Sequence, residues 1–191
     1  MSKQFRKTTP VRTFKKTYTN YRTYKPYLRS DFNGRCGYTD CPDQWFGGSK
    51  CFHIDHFKPK SKFPDLENHY SNLVYSCSYV NILKTDDIDG MLDPCSAEFN
   101  DAFYRDKHGY ICANPKSANA VFMHRKLKLG LERYRIVWTL DMLKETLQTL
   151  SSVVTSSHTQ FSDEEARETM LLFAALNNEF FQYFKYLGHE L

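Results

Sequence analysis

The sequence predicts an α+β chain in three parts. These are a basic N-terminal arm over residues 1–30, a strand–loop–strand–helix core over 31–95, and a hairpin plus helical C-terminal region over 96–191 packed on that core. Three observations predict it. Basic charge is crowded into the first 30 residues, two short strand-like runs sit among turn residues in 31–95, and apolar residues recur at steps of three and four from about Ala118 onward. A chain of 191 residues is expected to form one domain, with at most an appended subdomain, and to bury its core without disulfides.

The arm carries nine Lys/Arg and no Asp or Glu, leaving 17 of the 26 basic residues against all 22 acidic ones in the remainder. A positive field confined to one end suits a polyanion, and it equally suits a solvated tail. Residues 1–20 are polar and rich in Thr, and read as a flexible or loosely docked segment. In "YRTYKPYLR", Tyr21 to Arg29, aromatics alternate with cations. That pattern fits a strip lying on nucleic acid, or a brace across the core.

Residues 31–95 hold the turn signals "DFNGRCGYTD", "WFGGSK", "KPKSKFPD" and "DDIDG". Between them lie the strand candidates Cys51–Phe57 and Asn72–Ser76, followed by "CSYVNILKTD" as a short helix. Long loops in a folded unit tend to carry function. Further on, "YRDKHGYI" predicts a hairpin turning at His108–Gly109. Ile136, Leu140, Leu143, Leu147, Leu150 and Val154 form the stripe of one amphipathic helix. Ser162 and Glu165 form a capping box before another, whose apolar face is Met170, Phe173, Leu176, Phe180, Phe184 and Leu187. Both stripes read as core.

The chemistry concentrates in "FHIDHFKPKSKF", where Asp55 and His56 end the first strand and lysines follow at alternate positions. Asn72 opens the second strand 17 residues after Asp55, and Asn81 falls nine residues later on the short helix. A carboxylate and an amide oxygen are hard donors suited to Mg²⁺ or Mn²⁺. A histidine beside them is suited to deprotonating water. If the strands pair and the helix packs across them, Asp55 and Asn81 can share one ion while His56 faces a substrate. Lys58, Lys60 and Lys62, with Lys84, then offer cations to a phosphodiester backbone. Taken singly, Asp55 is also an ordinary turn residue, His56 a satisfied histidine, Asn72 a turn cap and each lysine a surface residue. His53 shares the parity of Asp55 and reads as a packing or supporting residue, with metal contact as the lesser alternative.

The ordered series "IDHFKPKS", "SNLVYSC" and "VNILK" resembles the HNH (ββα-metal) endonuclease motif in its His-Asn-Asn form, over roughly Arg35 to Asp86. The longer layout, through "LDPC", "HGYI" and "LKLGLERYR", is similar to HNH proteins of bacterial anti-phage and restriction systems, including Septu-type and retron-associated nucleases. The resemblance implies a ββα-metal core. Position by position, it implies His56 as general base, Asp55 and Asn81 as ligands of one Mg²⁺ or Mn²⁺ ion, and Asn72 as the residue that supports the catalytic loop. It further implies hydrolysis of DNA to a 5′-phosphate and a 3′-hydroxyl. The residues themselves do not separate DNA from RNA.

Many relatives of that kind hold a structural zinc in two Cys-x-x-Cys knuckles. Here the second cysteine of each is replaced, by Thr39 and Val80, leaving Cys36 and Cys77 as remnants. No structural zinc is expected from two thiols, with a salvage site through Cys41 as the alternative. Cys36 and Cys77 then pack as small apolar residues, with Tyr38, Tyr79 and Val80 filling the space. The functional expectation is a DNA endonuclease in anti-phage (antiviral) defence or restriction, held in check by a regulatory protein partner such as an ATPase. The alternatives are a catalytically silent nucleic-acid-binding scaffold subunit and an antibacterial toxin nuclease. With no apolar run of membrane-spanning length and no hydrophobic leader, the expected setting is cytoplasmic, with no membrane partner.

Overall fold

The computed structural model describes residues 3–86, 88–156 and 162–189. Strand β1 (Lys3–Gln4) and helix α1 (Lys25–Asp31) belong to the arm. The described part of the arm is docked at Phe5 and Arg12, which corrects the reading of residues 1–20 as loosely held. Phe5 is buried against Phe99 and Phe103, with ring centroids 5.6 and 6.0 Å away. The Arg12 guanidinium forks onto both carboxylate oxygens of Asp93 at 2.9 and 3.0 Å, and its Nε donates to Leu73 O at 2.7 Å. Buried aromatic area and a bidentate charged pair offset the entropy of ordering the segment. Composition hides this, because Lys7, Lys15, Lys16 and Arg22 still face solvent.

Strands β2 (Phe52–His56) and β3 (Leu73–Cys77) pair antiparallel, with His56 opposite Leu73 and Asp55 opposite Val74. Helix α2 (Ser78–Lys84) follows β3 without a loop and packs on both strands. The predicted strand–loop–strand–helix unit is therefore present, shifted by a residue at most boundaries. Every residue of β3 is buried. One cover is the turn at Cys36–Cys41, whose Gly37 N–H donates to Tyr75 O at 2.8 Å. A Cβ on Gly37 would stand 2.8 Å from both Phe32 Cε1 and Val74 Cγ1, so only glycine lets the turn approach so closely.

Helix α3 (Ala97–Ala102) leads into strands β4 (Phe103–Arg105) and β5 (Ile111–Ala113), the hairpin predicted from "YRDKHGYI". With β1 they form a three-stranded sheet in the order β1-β4-β5. Arg105 is wholly buried and donates to Phe5 O, Gly109 O and Thr39 O at 3.2, 2.9 and 3.0 Å. One guanidinium thus ties the arm, the hairpin turn and the turn that covers β3.

Helix α4 (Ala118–Lys126) completes the elements before α5 (Glu132–Ser156) and α6 (Asp163–His189). The chain divides into two compact units, residues 1–135 and 136–191, and the boundary falls inside α5. The Ser162–Glu165 capping box forms as predicted: Ser162 Oγ accepts from Glu165 N, and Glu165 Oε2 accepts from Ser162 N. On α5, Ile136, Leu140 and Leu143 are buried. The α6 stripe departs from its reading as core, since Met170 is 63% and Phe184 49% exposed. Leu171, Leu172 and Phe181 add apolar surface off the predicted stripe, so the helix is apolar on more than one face and a single packing surface does not cover it. Among the described residues no helix is long and apolar enough to cross a membrane.

Candidate active site

Pairing of β2 with β3 puts Asp55 inside and His56 at the strand end. Asp55 is almost fully buried, and both its oxygens are engaged. Tyr38 Oη donates to Oδ2 at 2.5 Å, and Lys84 Nζ donates to Oδ1 at 3.2 Å and to His56 O at 2.8 Å. Lys84 has no exposed surface. The sequence offered Lys84 as a cation for nucleic acid, and the structure places it inside the site instead, its ammonium spent on the Asp55 carboxylate. A buried ion pair must satisfy its remaining donors and acceptors to be tolerated, and the Tyr38 hydroxyl and His56 carbonyl do so here. Burial, then the neighbouring Asp55 charge, push the Tyr38 phenol well above its usual range, so it remains a donor.

His56 is half-buried, and its Nε2 lies 2.9 Å from Glu67 O. A carbonyl only accepts, so Nε2 carries the proton and Nδ1 keeps the lone pair. Desolvation lowers the imidazole pKa, with the Glu67 carbonyl and the Asp55 charge working in the other direction. In the neutral ring Nδ1 is then the nitrogen free to accept a proton. Tyr21 packs against it edge to face, centroids 4.7 Å apart.

Asn72 clamps the loop that follows β2. Its Nδ2 donates to Lys58 O at 2.9 Å and Leu66 O at 3.3 Å, and its Oδ1 accepts from Lys58 N at 2.8 Å. With Phe57 N donating to Asn72 O, both ends of the loop are pinned at one residue. Lys58, Lys60 and Lys62 are exposed on that loop. Lys60 pairs with Glu67 Oε1 at 3.0 Å.

Asn81 is half-buried on α2, one turn before Lys84 and so on the same helix face, which is the face that reaches Asp55. Asp55 and Asn81 supply two hard oxygen donors, chemically right for Mg²⁺ or Mn²⁺, which accept few protein ligands when water and phosphate complete the shell. Lys84 Nζ already marks a place beside Asp55 Oδ1 where positive charge is held. Each is an oxygen donor of the type such an ion takes, and Asp55 Oδ1 is open to one only if the ammonium yields it. Among the described residues no group of three or more His, Cys, Asp or Glu is arranged to hold a metal.

The remnant cysteines sit together. Cys77 N donates to Cys36 Sγ at 3.4 Å, and both residues are buried. Burial acts to raise the Cys36 thiol, but hydrogen bonds from Cys77 and Thr39 outweigh it and lower the pKa, while sharing that bond raises Cys77. Cys41 is buried and its thiol is pushed up to about 12, chiefly by desolvation. Tyr38 and Val80 are core as expected, whereas Tyr79 is 42% exposed. His53 also departs from its expected packing role, being exposed at the start of β2.

Sequence reasoning missed three participants. Glu67 acts through its carbonyl, which any residue supplies, so the sequence carries no signal for it. Tyr38 read as filler, and Tyr21 read as surface or brace, because only the fold brings them to Asp55 and His56. No family model matches the chain, and neither a curated protein nor a solved structure does.

Proposed function

We propose that this chain is a metal-dependent endonuclease of the HNH (ββα-metal) kind that hydrolyses DNA phosphodiester bonds. The observation that carries the reading is the His56 imidazole, tied at Nε2 to Glu67 O with Nδ1 basic, adjacent in sequence to the buried Asp55. That is the arrangement a general base needs. His56 Nδ1 takes a proton from water, the water oxygen bonds to phosphorus, and the bond from phosphorus to the 3′ oxygen breaks, that oxygen taking a proton from solvent. The products carry a 5′-phosphate and a 3′-hydroxyl. Asn72 holds the loop so that His56 and Lys58 keep their spacing, and Lys58, Lys60 and Lys62 attract the backbone. Asp55 and Asn81 would hold the Mg²⁺ or Mn²⁺ ion, which supplies Lewis-acid stabilisation of charge at the phosphate. Service in anti-phage defence or restriction, in the cytoplasm and under a regulatory protein such as an ATPase, belongs to the same proposal.

The test is supercoiled plasmid incubated with Mg²⁺ or Mn²⁺, beside His56→Ala and an EDTA control. Nicking or linearisation lost in both controls supports the reading, and cutting that survives His56→Ala overturns it. One observation favours a second reading, a silent nucleic-acid-binding subunit: Lys84 and Tyr38 already occupy the Asp55 carboxylate. Plasmid binding without cleavage, together with no heat of Mg²⁺ binding by calorimetry, selects it.

A further inference from the structure

The N-terminal arm reaches His56 from two sides. Arg12 Nε donates to the carbonyl of Leu73, the residue paired with His56 across the strands. Tyr21 lays its ring against the imidazole at 4.7 Å and 71°. The Tyr21 N–H donates to Asn68 Oδ1 at 2.8 Å, and Tyr24 Oη donates to Asn68 O at 3.3 Å. Asn68 is next to Glu67, whose carbonyl accepts the His56 proton at Nε2 and whose side chain accepts from Lys60. Lys60 Nζ in turn lies 5.3 Å from the Tyr21 ring centroid and the Arg22 guanidinium 5.5 Å from it. The imidazole therefore has two restraints: one is an arm ring, and the other is a carbonyl beside a residue that the arm bonds twice.

We infer that the arm is part of the catalytic apparatus, with Tyr21 as a positioning residue that holds the His56 imidazole with Nδ1 toward the substrate. This rests on His56 being the base. The ring contact limits rotation of the imidazole, and the Asn68 bonds keep Glu67 O where Nε2 needs it. Loss of either leaves the histidine present but misaimed, which lowers turnover more than substrate binding.

Tyr21→Ala and Tyr21→Phe are compared with the wild-type chain in two measurements. The first is the ¹⁵N–¹H spectrum of the imidazoles in metal-free protein at neutral pH. The second is plasmid cleavage with Mg²⁺. Wild type and Tyr21→Phe are expected to show a single Nε2-protonated His56, because phenylalanine keeps the ring contact and the backbone bond. Tyr21→Ala is expected to show mixed tautomers, with kcat down by about tenfold to 100-fold and KM within about twofold. A Tyr21→Ala protein with the wild-type His56 spectrum overturns the inference, as does one with unchanged kcat. So does a Tyr21→Phe protein as impaired as Tyr21→Ala. A wild-type chain that neither cuts plasmid nor binds Mg²⁺ in calorimetry overturns the nuclease reading instead, and the spectra still decide whether the arm positions His56.

Discussion

Replacing Lys84 with methionine tests the electrostatic arrangement at Asp55. Methionine keeps most of the side-chain volume, so the cavity contribution is small and the change isolates the ammonium. In the wild-type fold that ammonium is wholly buried, 3.2 Å from Asp55 Oδ1. At an effective dielectric of about 20, unit charges at that separation attract by roughly 5 kcal/mol. Stranding the partner of a buried pair typically costs about 3–5 kcal/mol. For a chain of this size that corresponds to a fall of roughly 6–20 °C in Tm.

Urea and thermal unfolding of Lys84→Met, Asp55→Asn and the double variant measure the pair directly. The double variant is expected to be less destabilised than the two singles together, with a coupling of about 2 kcal/mol or more. Saturating Mg²⁺ should raise the midpoint of Lys84→Met more than that of wild type, because the freed carboxylate is then available to the ion. A Lys84→Met protein within about 1 kcal/mol of wild type, with additive behaviour in the cycle, would show that the ammonium does not hold the Asp55 carboxylate.

Asn72→Ala removes three hydrogen bonds and strands Lys58 N–H, for a cost of about 1–3 kcal/mol in urea unfolding, and loss of loop placement should lower cleavage by about 100-fold; full activity would show that the loop holds without it. Gly37→Ala drives a Cβ to 2.8 Å from Phe32 and Val74 and is expected to cost about 1–3 kcal/mol by the same assay, against no effect if the turn can lift off β3. Burial acts to raise the Asp43 carboxyl, but hydrogen bonds from Arg29 and Tyr75 outweigh it and hold the pKa below its ordinary 3.8. A depressed folded pKa stabilises above the unfolded value and stops doing so as pH falls through the folded one. Asp43→Asn should therefore be less stable than wild type near neutrality, with the gap closing below about pH 3.8 in thermal melts; a gap that stays constant to pH 2 would remove Asp43 from the acid limb.

The paired strands, the short helix and the hairpin were legible because each rests on local signals: alternation, turn residues and short connections. Asp55, His56 and Asn72 were legible as candidates by type and order, and the fold gives Asn72 a clamping geometry that its letter alone does not reveal. Lys84 misled because a lysine's letter carries charge but not burial, and only packing of α2 across β2 turns its ammonium inward. His53 shows the limit of parity, which fixes a strand face without fixing how far the cover on that face extends. The arm was the least legible part. Its cations are visible in composition, whereas the contacts that dock it run from Arg12 to Asp93 and from Tyr21 to His56, across sequence separations no local pattern encodes.

Asp55 links these observations. A carboxylate this deeply buried needs positive charge beside it, or the fold pays a large desolvation penalty. Lys84 supplies that charge from a position one turn along α2 from Asn81, the residue proposed to share the metal. An ion bound as proposed would compete with the ammonium for the same oxygen. On this reasoning Lys84 makes the core stable before metal arrives and weakens metal binding by the strength of the pair it forms. Lys84→Met should then bind Mg²⁺ more tightly than wild type in calorimetry, even though it is the less stable protein. Weaker binding by the variant would mean that the ammonium supports the ion's site instead of occupying it.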